Sequence, residues 1–352
     1  MARKDVPMGL SKTIWSKPAE YLSQCRPQAP VMFFAPGILH DTARRFIDGF
    51  PGLVSYAVSA NPQDVVIENL AAAGLRGFDV TSRAEMLLIR RLAPEAAIHC
   101  ATPIRRRSEI AAAVALGLRS YTVDNASDLT RLIDLVPARG AGISVRVRVP
   151  QPGAVADAGL GFSGSPDLAA ELLGRIATAG FAPSLTCQPD ARSTDPTVWE
   201  THIRTAAEIA GAADVTLARL NLCGTFPADR LNGSDRDTDT SFGRIDKAAA
   251  VFGASRPVLV CNPGGAMVAD SFTLAARAPT VVDDRPLPAP DGAFLAAQIP
   301  LRAGASRQSV ERLPGANGDY VLFRGMGAGP ASTTACGGPY GDTGIETVLS
   351  MG

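Results

Sequence analysis

Leu53-Val54-Ser55-Tyr56-Ala57-Val58, followed by Asp64-Val65-Val66-Ile67-Glu68-Asn69-Leu70-Ala71-Ala72-Ala73, pairs a short β-type run with a run of helical spacing. Aromatic and β-branched residues fit a pleated strand. Apolar residues three and four apart make one face of a helix. The couplet then recurs. Strand-like 77–80 precedes helical 84–92, 97–101 precedes 107–115, 120–124 precedes 126–135, and 143–149 precedes 167–179. Strand-like 184–187 precedes helical 198–212, and 216–222 precedes 244–252. Residues 257–261 form a last apolar strand. Eight strand–helix units over roughly 200 to 250 residues are the content of a (β/α)8 barrel. Such alternation implies a parallel sheet. A doubly wound sheet would alternate in the same way, so periodicity alone leaves both open.

After residue 264 the helical spacing fades. Pro- and Gly-rich turns separate short β-like runs at 294–299 and 320–323, and 31–34 is β-like as well. The expected organisation is an N-terminal segment (1–45) that partly joins a β domain, a barrel (46–263) and a C-terminal mostly-β domain (264–352). Residues 150–165 and 227–240 read as loops, being rich in Gly, Pro and Ala or in Asn, Asp and Ser.

The chain has 352 residues, of which 46% are hydrophobic and 19% charged. Bulk disorder is thereby excluded, and a large core is easily supplied. Lys+Arg and Asp+Glu balance at 34 each, which points away from nucleic acid and anionic membrane surfaces as partners. No apolar stretch follows Met1-Ala2-Arg3-Lys4-Asp5, and none reaches the ~18 residues of a membrane span. The six scattered cysteines read as reduced thiols of a cytoplasmic protein. The three histidines show no metal-ligand spacing, so no metal is expected.

Five short segments, in order, resemble the fold-type III pyridoxal-phosphate decarboxylases, which act on ornithine, diaminopimelate, arginine and lysine. Tyr56-Ala57-Val58-Ser59-Ala60-Asn61-Pro62 is similar to YAVKANP, and Gly77-Phe78-Asp79-Val80-Thr81-Ser82 to the FDxAS segment. Asn221-Leu222-Cys223-Gly224-Thr225-Phe226-Pro227 resembles LxLGGGFP. Cys261-Asn262-Pro263-Gly264-Gly265, with Val268-Ala269-Asp270-Ser271-Phe272-Thr273-Leu274, resembles AEPGR and VASAFTL. Gly318-Asp319-Tyr320-Val321-Leu322-Phe323, with Met326-Gly327-Ala328-Gly329, resembles GDWLxF and MGAYT. The resemblance implies an alanine-racemase-like (β/α)8 barrel followed by a β domain, with Asp79 and Arg146 at family positions on the second and fifth strands.

The departures from the family fall on one site. The lysine that forms an imine with the cofactor aligns with Ser59, whose hydroxymethyl group cannot form one. The carboxylate that keeps the pyridine ring protonated aligns with Asn262, a neutral amide. The ring-stacking histidine aligns with Thr186, and two of three phosphate-cradling glycines become Cys223 and Thr225 around Gly224. Gly265 and Gly329 align with an arginine and a tyrosine. The family's GPxCD segment has no match between 277 and 318. These positions lead to the expectation of no cofactor. The protein is then a pseudoenzyme that binds a partner or an amino-acid-derived molecule, as the family's antizyme inhibitors do. A homodimer and a heterodimer with a homologue both stay open. The alternative is a repurposed barrel enzyme acting on an amino-acid-derived metabolite. Cys187, Cys223 and Cys261 are its candidate catalytic residues, because they end strands facing one pocket and thiols there can act as nucleophiles or soft-metal ligands.

Overall fold

The structure is a computed structural model. It describes residues 14–104, 106–147, 149, 165–189, 197–224, 226, 234–277, 310–313, 320–328 and 346–351. In chain order the strands are β1 (Ile14–Trp15), β2 (Val31–Phe34), β3 (Leu53–Ala57), β4 (Gly77–Val80), β5 (Ala97–Cys100), β6 (Ser120–Val123), β7 (Gly142–Val147), β8 (Ala182–Cys187), β9 (Arg219–Cys223), β10 (Val258–Asn262), β11 (Phe272–Arg277), β12 (Val310–Leu313), β13 (Tyr320–Arg324) and β14 (Glu346–Ser350). The helices are α1 (Pro18–Cys25), α2 (Pro36–Gly49), α3 (Asp64–Ala72), α4 (Arg83–Leu92), α5 (Arg107–Ala115), α6 (Ala126–Leu135), α7 (Pro166–Thr178), α8 (Val198–Ala212) and α9 (Ser234–Ala248).

Strands β3 to β10 close a barrel, every pair parallel, with β10 returning to β3 through Val260 opposite Leu53. Closure removes the ambiguity with a doubly wound sheet. Strand and helix meet through side-chain caps that fix where each helix begins. Ser82 accepts from the Glu85 amide to start α4, Asn125 from Asp128 to start α6, and Ser165 from Leu168 to start α7. The apolar faces of the helices around the barrel, including Ile67, Leu70, Ile89, Leu132, Ile176 and Ile203, bury against its outer face.

A second sheet runs β1-β14-β2-β11-β13-β12. β2 is therefore separated in sequence from its sheet neighbours β11 and β14 by the whole barrel. Tyr21, Phe33, Leu322 and Val348 form its own small core.

Three boundaries differ from expectation. Val58 leaves the first barrel strand and opens a single 3-10 turn, Val58–Ala60. The strand expected at 216–222 runs from Arg219 to Cys223. The expected loop 227–240 becomes helical at Ser234. Among the described side chains its buried face carries Thr238, Ser241, Phe242 and Ile245, so hydroxyls share that face and hydropathy alone misses the periodicity. The run at 294–299, the loop 150–164 and most of the 277–318 stretch lie outside the described residues.

Candidate functional site at the barrel mouth

Successive side chains of a strand point to opposite faces of the sheet. One face of β3–β10 carries Tyr56, Phe78, Val80, Cys100, Val145, Cys187, Leu222 and Cys261, all buried in the main apolar core against the helices. The other face carries Ser55, Asp79, His99, Thr122, Ser144, Arg146, Thr186, Asn221, Cys223 and Asn262, and these line the barrel axis. The interior is thus a polar network in an apolar shell.

Asp79 anchors one side of it. Its carboxylate, 6% exposed, accepts from the Ser55 hydroxyl and from the Asn262 amide Nδ2, the latter at 2.5 Å. Asn262 is held in turn. Its Oδ1 accepts from the Gly264 amide at 3.0 Å, and its backbone oxygen accepts from the Gly224 amide at 2.8 Å. Across the axis Ser144 and Thr186 hydroxyls lie 2.6 Å apart, and Asn221 Nδ2 donates to both at 3.0 Å. Arg146 pairs with the buried Asp124 at 3.2 Å. His99 lies between two hydroxyls, with Nδ1 2.6 Å from Ser120 Oγ and Nε2 3.1 Å from Thr122 Oγ1. Burial pushes its pKa below the usual histidine value, and the negative charge of Asp79 only partly opposes this.

Strand alternation separates the three candidate cysteines. Cys187, Leu222 and Cys261 share one register row on the outer face, packed among apolar side chains. Only Cys223 sits with Asn262 on the axial face. Burial pushes the Cys187 thiol up to about 12 and those of Cys223 and Cys261 well above the usual value. A thiol so shifted holds little thiolate near neutral pH and is a poor nucleophile. The expected cysteine cluster is therefore corrected to one inward thiol and two core residues. Among the described residues no group of three His, Cys, Asp or Glu side chains could hold a metal ion.

The other anticipated positions fall as follows. Asp79, Arg146, Thr186 and Asn262 share the axial face. Ser59 is exposed in the turn that follows β3. Gly224 follows β9 with φ of 71°, and a Cβ there would lie 3.3 Å from the Gln188 side-chain amide nitrogen. Gly265 lies in the turn after β10, where a Cβ would meet the Cβ of Ala328 at 3.0 Å. Gly329 is outside the described residues. Ser55, Asp124, Ser144 and Asn221 were not anticipated. Their signal was present, since each is a polar residue alternating with apolar ones along its strand.

A family model for the pyridoxal-dependent decarboxylase, pyridoxal binding domain, matches residues 39–158. The lysine/ornithine decarboxylase of Selenomonas ruminantium is 27% identical over 199 residues, covering 55% of this chain and 50% of its own. Over these residues the chain is similar to pyridoxal-dependent decarboxylases. It spans about half the length of the curated decarboxylases it matches. Solved structures reproduce the fold over nearly all of it. The arginine decarboxylase of Paramecium bursaria Chlorella virus bound to agmatine aligns with a TM-score of 0.70 at 17% identity, over 94% of this chain and 98% of that one. SrLDC in complex with pyridoxal phosphate and cadaverine aligns with a TM-score of 0.69 at 19% identity, over 97% and 94%.

These findings overturn the expectation of no cofactor. The matching family model is that of a pyridoxal binding domain, and a structural neighbour carries pyridoxal phosphate, so this is the ligand that the family indicates for the barrel. The residues of this chain do not fit that group as a covalent one. The four lysines are Lys4, Lys12, Lys17 and Lys247, so no lysine occurs between 18 and 246 or after 247, and no strand end of the barrel can offer an amine. The amides of Gly224 and Gly264, at the ends of β9 and β10, both point to Asn262.

Proposed function

We propose that this decarboxylase-like protein is a pseudoenzyme whose barrel mouth binds an amino-acid-derived amine without decarboxylating it. The observation that carries the reading is Ser59. The turn after β3 presents a hydroxyl, and no lysine lies between residues 46 and 246 to replace it. Pyridoxal phosphate, when bound, supplies an electron sink for carbon–carbon cleavage. The axial residues are arranged for holding rather than for proton transfer. Asp79 is fixed by two donors, His99 is held neutral between hydroxyls, and Cys223 stays protonated.

Charge favours an ammonium ligand. Asp79 and Asp124 are buried; among the described residues Arg146 pairs with Asp124, while Asp79 is held by the neutral donors Ser55 and Asn262. An ammonium group would supply Asp79 with a charged partner. The structural neighbours carry agmatine and cadaverine, amines of this kind. The repurposed-enzyme reading keeps Cys223 as its inward thiol, while Cys187 and Cys261 lie among apolar side chains.

The test is carbon dioxide release from carboxyl-labelled ornithine, lysine, arginine and diaminopimelate with saturating pyridoxal phosphate. No rate above the protein-free control is expected, while agmatine and cadaverine give binding heats. Stoichiometric turnover of any of the four acids would refute the reading.

A further inference from the structure

Helices α8 and α9 lie side by side on the outer wall of the barrel and leave a groove of about 780 Å³ between them. Spacings of three and four residues put Thr240, Gly243, Arg244 and Lys247 on the face of α9 that lines it, and Glu200 and Arg204 on the facing side of α8. We propose that this groove docks a short acidic segment of a partner protein, whose apolar side chains anchor on the rim beside it. The surface shares no residue with the barrel mouth, so it stands apart from the amine reading.

Charge is the first observation. Both acids of the groove are engaged. Glu200 accepts from Arg244 at 2.6 Å, across the helix pair, and Asp239 pairs with Arg45 of α2 at 3.1 Å. Arg204 and Lys247 form no hydrogen bond or ion pair among the described residues. Like charges lining one groove repel each other, and a carboxylate brought between them offsets that repulsion. The floor is open as well. A Cβ at Gly243 would meet nothing within 4 Å, so a chain can settle onto the α9 backbone beside Arg244. From Thr240 to Ala248 the groove runs about 12 Å, the reach of about four extended residues.

Apolar exposure is the second. Val251 stands four residues after Lys247, lines the same groove and is exposed. Val258 and Leu53 begin the neighbouring strands β10 and β3, at the end of the barrel opposite the mouth, and are exposed too. Of six exposed large apolar side chains among the described residues, these three gather where α9 ends. Such a rim suits apolar anchors that flank an acidic stretch. A bilayer surface is too flat to reach the Gly243 floor.

Fluorescence anisotropy of a labelled peptide, four glutamates flanked by leucines, titrated with the full chain, tests this. The peptide should bind with a dissociation constant below about 1 mM, and its glutamine counterpart about tenfold or more weakly. Arg204→Ala combined with Lys247→Ala should weaken the acidic peptide by about tenfold or more, with an unchanged urea midpoint because both side chains are exposed. Gly243→Leu should also lose the peptide, because it fills the floor, while stability holds or rises with the better helix former. Agmatine binding at the mouth should be the same in all of these proteins. An acidic peptide that does not bind, a glutamine peptide that binds as well, or a double variant with parental affinity overturns the proposal. Tighter binding of a single-stranded oligonucleotide of equal charge, or of phosphatidylserine vesicles, overturns it too, since the cations would then serve nucleic acid or lipid. Agmatine that fails to bind the parent chain sinks the amine reading and leaves the groove untouched.

Discussion

Asn262 joins three parts of the chain. It donates to Asp79, 183 residues earlier, accepts from the amide of Gly264 two residues on, and takes the Gly224 amide on its backbone oxygen. Its oddity was legible in the sequence, because a neutral amide stands where the resemblance implies a carboxylate. Its partners were not, because Asp79 meets it only after the barrel has closed. Asn262→Asp turns the Asp79 contact into a carboxylate pair. One of the two acids must then carry a folded-state pKa above the ~3.9 of an unfolded aspartate. A raised acid contributes its stability below the unfolded pKa and loses it as pH rises through the folded value. The variant should therefore lie about 2–4 kcal/mol below the parent at pH 7 and approach it near pH 4. Urea midpoints at the two pH values measure this. An equal deficit at both would show that charge is not the cause.

At the scale of elements, most of the barrel was readable because each strand and helix announces its own period. The inner and outer faces were equally readable in principle. Thr186 and Cys187 are adjacent on β8 and must point to opposite faces, so a hydroxyl bonded on the axis requires a thiol in the core. Helix α9 hid its start behind Thr238 and Ser241, and helix α8 hides a cost. His202 is 1% exposed, donates from Nδ1 to the Val198 carbonyl, and leaves Nε2 with no hydrogen-bond partner among the described residues. Burial lowers its pKa, so the folded chain holds it neutral while the unfolded chain takes a proton below about 6.5. For a lowered base the stability is present at higher pH and falls as pH drops. His202→Leu removes that dependence and the orphaned nitrogen. It should be neutral to about 1 kcal/mol stabilising at pH 7. Its advantage should grow by up to ~1.4 kcal/mol per pH unit below 6, with parallel curves above 7. Because His99 titrates in both proteins, the difference between their denaturation curves isolates His202. A constant difference from pH 5 to 8 would contradict the assignment.

At the scale of the whole molecule, barrel and second sheet meet at a buried clamp. Asn61, fully buried after β3, donates from Nδ2 to the Gly327 carbonyl at 2.9 Å while its own carbonyl accepts from the Tyr56 hydroxyl at 3.1 Å. The Gly327 amide donates to Ala269 and that of Met326 to Phe272, so the segment after β13 is stitched to the one that leaves the barrel. Gly327 has to be glycine. A Cβ there would lie 1.9 Å from the Val268 carbonyl oxygen and 2.9 Å from the Phe272 ring. The same contact brings Ala328 against Gly265, so the clamp sets how closely the second sheet approaches the turn that follows Asn262. Asn61→Ala removes one buried hydrogen bond and should lower stability by about 1–3 kcal/mol while leaving one cooperative transition. Gly327→Ala cannot be absorbed by a side-chain rotation, because the obstacle is backbone. It should cost more than about 3 kcal/mol and split the calorimetric unfolding into separate events for sheet and barrel, with dye binding to the surface exposed between them. A Gly327→Ala protein that melts as one unit at the parental temperature would mean that the two sheets are held together elsewhere. The mouth would then owe its shape to the barrel alone, and ligand affinity measured for both variants should in that case be unchanged.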